Sequence, residues 1–185
     1  MSIDVNIANG ALLKLGVDPI SSPDEESSRA EVIRNIYNDC VDYLLSQYDF
    51  SFAQKQVILS KVDTEVVFGY KNAYKLPTDF IRFVDMRENT KYKIMNGMIL
   101  SDADTCAITY VFKNYDPSTY SPLFRDLLQV RLAFRLCPYI KEDRAFTLEL
   151  YNQEIDRINN SANRESMQGD DEFLPEDSWV SIRRV

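Results

Sequence analysis

Apolar positions at Val5, Ala8, Ala11, Leu12 and Leu15 recur at spacings of three and four, which predicts an opening helix stopped by Gly16 and Pro19. A second stripe, Ala30, Ile33, Tyr37, Cys40, Val41, Leu44 and Tyr48, predicts a longer helix ending near Gln47. Its start falls at Ser22-Pro23-Asp24-Glu25, where Ser22 caps and Glu25 reaches back, or at Ser27 or Ser28. The period then changes. Phe50-Ser51-Phe52 and Val57-Ile58-Leu59 favour strand, and Ile108, Tyr110 and Phe112 alternate with Thr109 and Val111. Asn96-Gly97 accepts the positive φ angles of a type I′ turn, so Lys91 to Met95 and Met98 to Leu100 read as a hairpin. Leu76-Pro77-Thr78-Asp79 is a turn leading into a strand from Phe80 to Met86, partly solvated because it carries Arg82 and Asp85.

Helical spacing returns after Ser121-Pro122, a cap followed by a first-turn proline. Phe124, Leu127, Leu128, Val130, Leu132, Phe134 and Leu136 leave so little polar surface that this helix should be central, and Pro138 should stop or kink it. Asp143 caps a fourth helix, whose stripe of Leu148, Tyr151, Ile155, Ile158 and Ala162 is expected to pack on the third, with Glu154, Asp156 and Arg157 on its charged side. The expected architecture is α+β: mainly a helical bundle of four helices, from residues 1–49 and 121–165, with a small antiparallel β unit inserted at 50–120. Residues 166–185 form an extended C-terminal tail. There Gly169-Asp170-Asp171-Glu172 breaks the pattern, yet Phe173, Leu174, Trp179, Val180 and Ile182 follow, with Arg183 and Arg184. Aromatic and Arg anchors dominate contact energies, so these seven residues are candidates for docking on a neighbouring subunit, against the alternative that the tail folds back on its own core.

Composition narrows the chemistry. The 185 residues include no histidine, which excludes histidine bases, Ser-His-Asp and Cys-His relays and histidine-ligated metals. Five scattered glycines cannot form a phosphate cradle. The three cysteines, Cys40, Cys106 and Cys137, lie far apart and read as buried thiols in a reducing compartment. The N-terminal residues do not read as a signal peptide, and no apolar run approaches the ~20 residues of a membrane span. The acidic pairs Asp39 with Asp42, Asp102 with Asp104, and Asp170 with Asp171 have no companions suited to acid-base work or a calcium loop, and Asp102-Ala103-Asp104 reads as a solvated turn. Neither catalytic residues nor a metal or cofactor are expected. A net charge of -8 also disfavours tight binding to a phosphate backbone.

One family has this order of motifs. Ala11-Leu12 and Leu15-Gly16, the helix leading to Phe50-Ser51-Phe52-Ala53, then Ala73-Tyr74-Lys75-Leu76-Pro77-Thr78-Asp79-Phe80-Ile81-Arg82, and finally Phe124-Arg125-Asp126-Leu127-Leu128 with Arg131-Leu132-Ala133 follow in sequence. Over residues 3–165 the chain resembles the tail tubular protein A family, the head-to-tail adaptors of short-tailed phages, and more distantly the connectors of long-tailed phages. The family often has Trp-Asn-Phe-Ala where this chain has Phe50-Ser51-Phe52-Ala53. The resemblance gives structural roles to Phe50, Phe52, Ala53, Tyr74, Leu76, Pro77, Asp79 and Arg82, with Arg82 pairing with a carboxylate or carbonyls at the foot of the β unit.

What the resemblance implies is a structural virion protein at the portal vertex, assembled in the host bacterial cytoplasm. It would form a ring of about twelve copies, closed by a heterologous interface, between the portal protein and the tail nozzle protein, with tail fibres as a further candidate partner. Genome DNA would pass without sequence-specific contact. An acidic bore would repel phosphate over the ~8 Å that screening allows at physiological salt. Rival readings are a phage-encoded regulatory protein-binding module and, with less support, a small histidine-free enzyme.

Overall fold

The computed structural model describes residues 3–63, 69–88, 90–140 and 143–169. Among them are four helices, α1 (Val5–Lys14), α2 (Ser28–Gln47), α3 (Pro122–Ile140) and α4 (Arg144–Gly169), and two small antiparallel sheets. The architecture is α+β.

Capping places the helix starts. The Asp4 carboxylate accepts from the Asn6 and Ile7 amides at α1, and Ser27 Oγ accepts from the Ala30 amide at α2. The Ser22 capping box is not formed. Glu25 instead accepts from the Ser21 amide and the Ser27 hydroxyl, tying up the loop before α2. Ser121 Oγ takes the Phe124 amide at α3, and Asp143 takes the Ala145 and Phe146 amides at α4. Pro138 neither ends α3 at once nor breaks it. It sits exposed in the last turn, and the helix runs on to Ile140.

As its apolar sequence demands, α3 is central and contacts α1, α2 and α4. Phe124, Leu127, Leu128, Leu132, Ala133 and Leu136 join Leu12, Ile33, Tyr37, Leu44 and Leu45 in one buried cluster. α1 approaches α3 closely at Gly10, where a Cβ would lie 2.4 Å from the Gln129 Cδ. Asp126 of α3 bridges Lys14 of α1 and Arg157 of α4. Cys40, Cys106 and Cys137 are free and buried, and burial pushes the Cys40 thiol up to about 12.

Among the described residues, seven strands lie between α2 and α3. β1 (Gln54–Ile58), β7 (Ala107–Phe112) and β4 (Phe80–Met86) form one sheet in the order β1-β7-β4. β2 (Lys61–Val62), β3 (Asn72–Lys75), β6 (Met98–Ser101) and β5 (Tyr92–Met95) form the other in the order β2-β3-β6-β5. β5 and β6 make the expected hairpin, turning through Asn96 and Gly97 with φ of 52° and 70°. A second cluster, Leu59, Tyr74, Met86, Ile99, Cys106, Ile108 and Tyr110, lies between these strands, apart from the helical core. Phe50-Ser51-Phe52 is not a strand. Ser51–Ala53 is one 3-10 turn, because Phe50 and Ala53 are both drawn into the helical core, a geometry that strand alternation would forbid.

Candidate functional site

Phe50, Phe52, Ala53 and Arg82 lie where the helices join the β strands, whereas Tyr74 and Leu76 lie with the second cluster. Phe50 is 1% exposed and packs edge-on against Phe124, with ring centroids 4.9 Å apart. Phe52 lies 5.0 Å from Phe124 and 5.5 Å from Tyr120, so the turn plugs the base of α3 with aromatic rings. The returning chain is fastened to the same turn, since Asn114 Nδ2 donates to the Phe52 carbonyl and Tyr120 OH donates to the Asn114 carbonyl.

Leu76-Pro77-Thr78-Asp79 turns the chain into β4, with the Phe80 amide donating to the Pro77 carbonyl. Asp79 accepts from Lys55 Nζ of β1 and from Tyr110 OH of β7, each at 3.0 Å, and its carbonyl takes the Lys113 amide. Burial raises the Asp79 carboxyl, but the hydrogen bonds from Lys55 and Tyr110 and the Lys55 charge outweigh it, and the group titrates below its ordinary value. Burial and the bond to Asp79 push Tyr110 up to about 12. Lys55 also lies over the Phe112 ring, 3.6 Å from its centroid. Arg82 Nη2 pairs with Asp49 at 2.5 Å, so a β4 side chain is tied to the residue just beyond α2. Tyr74 is buried and its hydroxyl donates to the Ala103 carbonyl, while Leu76 packs beside the second cluster. Asp79 thus cross-links β1, β7 and the turn before β4, while the Arg82–Asp49 pair ties β4 to the chain leaving α2.

No family model matches the chain, and no curated protein is similar to it.

The other candidates fall in different places. Phe173, Leu174, Trp179, Val180, Ile182, Arg183 and Arg184, with Asp170 and Asp171, lie outside the described residues. Asp42 accepts from Tyr115 OH at 3.0 Å and lies 3.7 Å from Lys113 Nζ, a cross-link between α2 and the chain leaving β7. Asp102 accepts the Lys71 amide in an exposed turn, as expected. Among the described residues no group of three or more Cys, Asp or Glu could hold a metal, and no helix is long and apolar enough to cross a membrane.

The largest departure from the sequence reading is on α4. Of the stripe expected to pack on α3, Leu148 and Ile155 are 59% and 36% exposed, while Tyr151, 39% exposed, does rest its ring against Phe134 of α3, with centroids 5.5 Å apart. The face turned inward carries Leu150 and Glu154 instead. Glu154 meets Arg131 of α3 at 3.2 Å, and the Arg131 guanidinium stacks 3.7 Å from the Tyr43 ring centroid. Burial raises the Glu154 carboxyl, partly offset by Arg131. Leu148 and Ile155 are thereby left uncovered, and Tyr139 at the end of α3 is 71% exposed.

Proposed function

We propose that this chain is a head-to-tail adaptor of a short-tailed phage, a ring subunit of about twelve copies that stacks sideways through a heterologous interface. In this reading the four helices act as a bundle that carries the ring and portal contacts. The inserted β unit faces the nozzle, and the extended tail, with Phe173, Leu174 and Trp179, reaches the portal or a neighbour. The chain acts as a shaped spacer that lets the genome through and turns over no substrate.

The order of motifs supplies the family, and one observation supplies the physical need for a neighbour. Leu148 and Ile155, seven positions apart on one side of α4, lie exposed on a helix already held to α3 by the Arg131–Glu154 pair and by Tyr151 against Phe134. Two large apolar side chains on one face gain nothing from water, and covering each removes at most ~1.5 kcal/mol of exposure cost, since both are already partly buried. A lateral partner covers them. The test is lateral association. Purified portal protein of the same phage, incubated with this chain, should acquire an added ring visible by electron microscopy, and the Leu148→Asp with Ile155→Asp variant should not form it.

A further inference from the structure

A groove of about 490 Å³ opens on the β unit between the Leu76-Pro77 turn and the hairpin tip. Val62, Leu76, Pro77, Phe80 and Met98 give it apolar walls, and Lys75 is the one charged residue among those lining it. The Leu76 amide donates to the Gly97 carbonyl at 3.0 Å, so the two sides are fixed relative to one another. This volume lies within the range of small-molecule pockets, large enough for an aromatic side chain to lie in.

Charge names the occupant. Residues 50–120 carry nine Lys and Arg against eight Asp and Glu, so the net charge of -8 resides wholly outside the β unit. Lys61, Lys71, Lys75, Lys91 and Lys93 lie exposed on or beside the four-stranded sheet and make no ion pair among the described residues. Residues 170–177 hold five Asp and Glu and no Lys or Arg, and they lead directly to Trp179, the single tryptophan of the chain. An acidic stretch followed by one large aromatic is the complement of an apolar groove that carries the unpaired Lys75, on a sheet that bears four more unpaired lysines.

Reach agrees. Arg131 faces Glu154 and Phe134 faces Tyr151, so α4 is antiparallel to α3 and runs back toward Pro122, the end at which the chain arrives from the β unit. The ten residues from Gly169 to Trp179 span up to ~35 Å when extended. We propose that the groove between Leu76-Pro77 and Met98 holds the chain's own C-terminal segment, with Trp179 in the groove and Glu176 and Asp177 against Lys75. The contact stands whether or not the chain is an adaptor. In an adaptor it would store the tail until a partner draws it out.

The single tryptophan makes the test direct. In the full chain at low salt, Trp179 emission should be shifted to the blue and shielded from acrylamide, equally so on dilution. Lys75→Glu should move the emission to the red and open it to quencher with an unchanged far-UV circular dichroism spectrum. Met98→Asp should do the same from the apolar wall, and pairing Lys75→Glu with Asp177→Lys should restore the shift. Emission typical of a water-exposed indole in the unaltered chain would overturn the proposal. So would shielded emission that ignores both groove variants, or shielding lost on dilution, which would put the segment on a second copy.

Discussion

Arg131 of α3 and Glu154 of α4 face each other at 3.2 Å with side chains only 13% and 2% exposed, and the Tyr43 ring covers the guanidinium. Two charges withdrawn from water hold each other, and the helix that carries Glu154 is rotated to suit. Removing one partner strands the other. Glu154→Ala should destabilise the fold by about 3 kcal/mol, whereas Arg131→Met with Glu154→Leu should cost far less because no charge remains to be desolvated. Urea unfolding of both variants, compared at constant slope, measures the difference.

The same rotation leaves Leu148 and Ile155 exposed. Leu148→Asp and Ile155→Asp remove no contact within the helical core, so each should change unfolding stability by no more than ~0.5 kcal/mol. Their effect should fall on association with copies and with the portal. Thermal midpoints alongside sedimentation of the portal mixture would separate the two effects.

The aromatic plug is a stability element. Phe50 is fully buried against Phe124, so Phe50→Ala should cost about 4 kcal/mol, the range for deleting a buried ring. Phe52→Ala should cost less, because that ring is only half buried and can be partly replaced by water. Denaturant midpoints of the two variants should fall in that order.

Asp79 gives an acid limb of known sign. Its carboxyl titrates below the ordinary value of 3.8, so its contribution is complete above that pH and is lost as the pH falls through the lower, folded-state value. Asp79→Asn should therefore lower stability at neutral pH and flatten the decline that sets in below about pH 4. Unfolding followed as a function of pH in both proteins shows whether the two curves converge in acid.

Local signals in the sequence carried much of this fold. The stripes of α2 and α3, the Asn96-Gly97 hairpin and the Phe80–Met86 strand each rest on a period or a turn pair confined to a few neighbouring residues. What failed depended on distant partners. α4 holds two interleaved candidate faces, and its sequence favours the more apolar one. The choice was made by Arg131, 23 positions earlier, which needs Glu154. Phe50-Ser51-Phe52 is too short for its alternation to count, and the core between α2 and α3 folds it into a turn. At the junction the importance of Asp79 and Arg82 was legible, with a carboxylate or carbonyl expected for Arg82. Their partners Lys55, Tyr110 and Asp49 sit 24, 31 and 33 positions away and were not.

The central claim is that this chain is built to sit beside copies of itself on a portal. Electron microscopy of the purified portal ring incubated with an excess of the protein addresses it most directly. An extra closed layer of density on the portal's tail-facing side, absent with Leu148→Asp and Ile155→Asp together, is the predicted result. Portal rings that remain bare at saturating concentrations of the folded chain would contradict it.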